Sequence, residues 1–108
     1  SAAESGVAEQ HRYRSLENDI SYGIQEQLLR LESLDEQLDL YDSVLIRQAE
    51  QALQSAEAAY ETGQVGILDL LDSERLLLRS RLSRERYRAD YRQALAKLEL
   101  AVGTRFPR

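Results

Sequence analysis

Thr62-Gly63-Gln64-Val65-Gly66 interrupts two long runs that otherwise have the makings of helices. Its glycines stand three apart, the only close glycine pair in the chain. Gly63 suits the left-handed position just past a helix C-terminus, where a Cβ would be strained. Asp69 and Asp72 follow at once. Carboxylates there complement the positive end of a new helix dipole. The stretch reads as a turn at residues 62–66 between a helix that ends near Glu61 and one that begins near Ile67.

Upstream, nothing from Val7 to Glu61 breaks a helix strongly except Gly23. Apolar or small residues recur at Leu31, Leu34, Leu38, Tyr41, Leu45, Ala49, Ala52, Ala56 and Ala59. The steps are mostly alternating threes and fours, the seam of a coiled coil. Consecutive fours at Tyr41, Leu45 and Ala49 form a stutter, which locally unwinds a supercoil. Flanking apolar residues at Leu40, Val44, Leu53 and Tyr60 indicate more than one neighbour. Downstream, Leu70, Leu71, Leu77, Leu78, Leu82, Tyr87, Tyr91, Ala94, Leu98 and Ala101 carry the second helix to about Val102. Gly103 is the expected residue just past its end, with Pro107 beyond.

Two helices joined by so short a turn lie antiparallel. Equal rise on each side places residue i opposite about residue 129 − i. Charge supports this register. Glu32, Asp35, Glu36, Asp39 and Asp42 make one helix acidic, and the opposed stretch carries Arg84, Arg86, Arg88, Arg92 and Lys97. The second helix then runs out opposite about Glu26. Residues 1–25 are expected to be a helical extension with no partner in the chain, residues 26–103 the hairpin, and 104–108 a tail. The fold class is all-α: a long antiparallel coiled-coil hairpin that assembles into a larger bundle.

Composition narrows function further. Hydrophobic residues make up 43% and charged residues 31% of 108, a balance typical of neither disorder nor a large buried core. A net charge of −5 disfavours nucleic acid or an anionic membrane as partner. The facing acidic cluster accounts for the Arg-rich stretch from Arg75 to Arg92 better than nucleic-acid binding does. Without cysteine there is neither a disulfide framework nor a thiolate metal site. His11 has no second His or Cys to share a metal. Asp69 and Asp72 could suggest acid–base catalysis, but a helix's first turns explain them and a hairpin has no pocket to exclude water. No enzyme activity, cofactor or metal is expected. No apolar run nears the roughly 20 residues that cross a bilayer, and the start Ser1-Ala2-Ala3 is that expected of a piece of something larger.

The run Tyr60-Glu61-Thr62-Gly63-Gln64-Val65-Gly66-Ile67-Leu68-Asp69-Leu70-Leu71-Asp72-Ser73-Glu74-Arg75 resembles the helix-turn-helix tip of TolC-type outer-membrane efflux proteins. Gln48-Ala49-Glu50-Gln51-Ala52-Leu53 before it, and Asp90-Tyr91-Arg92-Gln93-Ala94-Leu95-Ala96-Lys97-Leu98-Glu99 with Val102-Gly103 after it, are similar to family sequence. The resemblance covers about residues 38–103. Arg47 stands where many relatives carry Pro, and Ser73 replaces a common Ala. The family's strands and N-terminal repeat are absent, so this chain could neither form a membrane barrel nor close a conduit alone. The last residues, Ala94 to Gly103, resemble the heavy-metal (CzcC-like) branch.

The resemblance implies a periplasmic segment of a trimeric outer-membrane channel. Its tip would dock on a periplasmic adaptor, which links the channel to an inner-membrane pump. It places the docking motif at Gly63, Gln64, Val65, Gly66 and Ile67, flanked by Tyr60, Asp69, Asp72 and Arg75. Self-association is expected, as a trimer in the whole channel and as a dimeric four-helix bundle for this segment alone. The competing reading is a general coiled-coil scaffold without a transport role. A metal-binding four-helix bundle would need inward Glu-x-x-His pairs, and the chain's one histidine lies outside the paired region.

Overall fold

A computed structural model describes residues 2–105. Helix α1 spans Ala2–Leu40, a single wide π-type turn spans Tyr41–Leu45, and α2 spans Ile46–Glu61. After the turn at residues 62–66, α3 spans Ile67–Arg105. No strand occurs among the described residues. The fold is an all-α helical hairpin. α3 passes through Gly103 as helix, which corrects the expected stop near Val102. With no packing against it (nothing lies within 4 Å of where its Cβ would be) Gly103 costs the helix only about 1 kcal/mol relative to Ala, too little to end it. Pro107 lies outside the described residues.

Residues 33–91 form one compact unit. Ile46, Ala49 and Leu77 make its buried cluster, with Tyr41 and Leu53 packed against them. On α3 the inward positions are Leu70, Ser73, Leu77, Ser80, Arg84 and Tyr87, an unbroken three–four alternation. Leu71, Leu78 and Leu82 face outward instead. The polar residues on this seam are accommodated individually. Ser80 Oγ donates to the Leu76 carbonyl at 2.9 Å. Arg84 reaches across to Asp42 Oδ1 at 3.4 Å.

The π-type turn explains how the seam crosses Tyr41. Leu34, Leu38 and Tyr41 step by four and three, and continued α-helix would next present Leu45, Gln48, Ala52, Ser55 and Ala59. One residue added in the turn moves the frame to Ile46, Ala49, Leu53 and Ala56. The Ile46 N–H donates to the Tyr41 carbonyl, five residues back. Ile46 and Ala49 are consequently buried and Leu53 and Ala56 half-buried, whereas Gln48, Ala52 and Ser55 are exposed. Full burial of a Leu or Ile side chain gains about 1.5–3 kcal/mol; the alternative frame would turn Gln48 and Ser55 inward. Ala52 is therefore not a seam residue, and the stutter expected near Tyr41 is realised as one wide turn.

The expected register holds within this unit. Tyr41 meets Tyr87 with ring centroids 5.4 Å apart. Asp42 lies between Arg84 and Arg88, at 3.4 and 3.9 Å, and Glu50 lies 3.5 Å from Arg81. Each pairing falls within three residues of the 129 − i relation, less than one helical turn. The charged clusters do not pair throughout: Glu85, on α3 itself, also holds Arg88 at 2.8 Å.

Among the described residues, the second unit comprises 2–32 with 92–105. Ala94 is buried there, and Ile20, Ile24, Gln27, Leu31, Leu98 and Ala101 are half-buried. Tyr13, Leu16, Glu17 and Ile20 share a shallow groove with Thr104. Residues 2–19 are exposed throughout.

Candidate functional site: the hairpin tip

The chain reversal is built by glycine geometry and backbone hydrogen bonds. Thr62 closes α2 at φ −88°, ψ 0°, and Gly63 follows at φ +75°. The Gln64 N–H donates to the Ala59 carbonyl at 2.8 Å and the Gly63 N–H to the Tyr60 carbonyl at 3.1 Å. Together these are the six-to-one and five-to-two bonds of a Schellman motif, which satisfies carbonyls left open at a helix end. Thr62 adds its hydroxyl, donating toward the carbonyls of Ala58 at 3.3 Å and Ala59 at 3.2 Å. Sequence reasoning did not assign this role to Thr62; a Thr immediately before a helix-ending Gly was the available signal.

Gly66 has a different role. Its carbonyl accepts from the Leu70 N–H at 3.5 Å, so it caps the start of α3. Its φ is not left-handed, and nothing lies within 4 Å of where a Cβ would be. Gly63 is required by backbone conformation, and Gly66 is not. The two glycines are thus separable by substitution.

The tip exposes an unusual amount of apolar surface for a turn. Leu68 is 72% exposed, Ile67 48%, Tyr60 44% and Leu71 40%. Gln64 is exposed beside them, and Val65 is half-buried. Val65 is therefore a smaller outward feature than its place at the turn suggested. Leu68 and Leu71 are apolar tip residues outside the expected set. In the run Ile67-Leu68-Asp69-Leu70-Leu71, the seam spacing takes only Leu70 inward, and that was the signal for the outward pair.

Asp69 lies in the first turn of α3. It, Asp72 and Arg75 are exposed, and no hydrogen bond or ion pair to another described residue engages them. The tip thus offers leucine and isoleucine side chains interleaved with two free carboxylates and a guanidinium. This arrangement fits a contact surface: apolar groups release water on docking and the charged groups fix orientation.

Compared with protein-family models, with curated proteins and with solved structures, the chain matches none. Among the described residues no group of three or more His, Cys, Asp or Glu side chains is placed to hold a metal ion. Among the described residues no helix is long and apolar enough to cross a membrane.

Proposed function

We propose that the chain is a periplasmic helical segment of an outer-membrane efflux channel belonging to a tripartite pump. Residues 63–67 and their apolar surround dock against the coiled-coil tip of a periplasmic adaptor. The observation that carries this reading is the exposure of Tyr60, Ile67, Leu68 and Leu71 around a chain reversal. A turn that only reverses the chain gains nothing from apolar side chains held in water, whereas a docking tip does. The motif from Tyr60 to Arg75, with its resemblance to TolC-type tips, supplies the identity of the partner. In this reading the segment is passive: it contributes wall and docking surface, and the pump supplies energy and substrate choice.

The test is Gly66→Arg in the full-length channel. Since Gly66 has open space and ordinary backbone angles, the substitution leaves the turn intact while placing a bulky charge at the contact. Export-dependent resistance should fall while the amount of trimeric channel in the outer membrane is unchanged. Normal resistance with normal channel would reduce the tip to a turn and favour the scaffold reading.

A further inference from the structure

Leu68, Leu71, Arg75, Leu78 and Leu82 step by three and four residues along α3, on the side away from the inward-facing Leu70, Leu77 and Arg84. This is a second stripe. Leu78 and Leu82 are more than half exposed. Arg79 and Arg86 border the stripe, and neither they nor Arg75 forms an ion pair with another described residue. On the outside of the first helix Asp35, Glu36 and Asp39 stand beside exposed Leu40. Asp39 accepts a hydrogen bond from Ser43 at 3.2 Å; Asp35 and Glu36 engage no other described residue.

We propose that the leucine–arginine face of α3 is a docking surface for the acidic outer face of the first helix in a second copy of this chain. Charge decides the occupant. Leucine face against leucine face would crowd Arg75, Arg79 and Arg86 of both copies together, whereas the acidic face brings a cluster of carboxylates to this basic side. Exposure permits it: Leu78 is 57%, Leu82 59% and Leu40 43% exposed. The stripe meets the tip surface at Leu68, Leu71 and Arg75, whereas Leu78, Leu82, Arg79 and Arg86, the positions altered below, lie beyond the tip on α3.

The experiment uses three forms of the 108-residue chain in sedimentation velocity at micromolar concentration, with helicity followed by circular dichroism. The unaltered chain should sediment as a dimer or larger. Arg79→Glu/Arg86→Glu and Glu36→Lys/Asp39→Lys should each remain helical and associate at least about tenfold more weakly, from like charges now facing each other. An equimolar mixture of the two should regain association, because every contact between unlike chains is again complementary. Should a charge reversal lower helicity, Leu78→Gln/Leu82→Gln replaces it, with the same loss of association expected. A helical monomer in the unaltered chain would overturn the proposal. So would charge-reversed chains that associate undiminished alone, or a mixture that stays monomeric. A monomer that instead co-floats with phosphatidylserine–phosphatidylcholine vesicles would assign the face to a membrane surface and overturn it equally.

Discussion

At the residue scale, the tip separates two glycines that look alike in the sequence. Gly63 sits at φ +75°, where an L-residue with a Cβ is strained by about 1–2 kcal/mol. Gly63→Ala should therefore lower the hairpin's stability by about 1 kcal/mol in denaturant unfolding. Gly66→Ser should change stability by less than about 0.5 kcal/mol, since the serine hydroxyl can cap α3. Arg84 makes a further test. It occupies a seam position, and its Nε is buried without a hydrogen bond, although Glu85 lies 3.6 Å away. Its partner Asp42 is half exposed, so the ion pair contributes at most about 1 kcal/mol. Arg84→Met should leave stability within about 1 kcal/mol of the starting chain, because apolar packing replaces a poorly satisfied charge. The same variant should weaken, without removing, the charge pairing that opposes slipped registers, since Arg88 still faces Asp42 and Arg81 still faces Glu50.

At the element scale, the wide turn at Tyr41–Leu45 behaves as one surplus residue. Deleting Ser43 should convert it to plain α-helix while keeping Ile46, Ala49 and Leu53 inward, so the melting temperature should hold or rise. Deleting Ala89 from α3, which has no surplus to absorb the loss, should put its seam out of frame and lower the melting temperature sharply. The contrast tests whether the inserted residue serves the packing frame. The same region shows what the sequence could reveal. The turn was legible because Gly63 and the following aspartates carry position-specific chemistry. The register was legible because Asp42, Arg84 and Arg88 lie where equal helical rise puts them. The α2 frame was legible in part: Ala49, Ala56 and Ala59 are buried or half-buried as expected. Ala52 is as acceptable on a seam as Leu53, and Leu45 as Ile46, so periodicity alone could not detect the shift at the wide turn. Inward Ser73, Ser80 and Arg84 were missed for a related reason. Outward leucines beside them made the apolar pattern of α3 look broader than its packed face.

At the scale of the whole molecule, large apolar side chains stay exposed along α3, Leu78 at 57% and Leu82 at 59% among them. The first helix keeps most of its carboxylates, and α3 most of its guanidinium groups, outside the seam between them. Residues 2–12 add helix but no burial, so removing residues 1–12 should change the unfolding free energy by less than about 0.5 kcal/mol. The tip expectation named Gly63, Gln64, Val65, Gly66 and Ile67, which lie in and beside the chain reversal between α2 and α3. It omitted Leu68 and Leu71, whose outward direction follows only from the seam geometry. Site-specific photo-crosslinking in cells tests the docking claim most directly. A photoreactive residue replaces Leu68 of the full-length channel, with exposed Arg47 as the control position away from the turn. The account predicts a crosslink between channel and periplasmic adaptor from position 68 and none from position 47. An adaptor crosslink absent from 68, in cells where the pump exports normally, would contradict it.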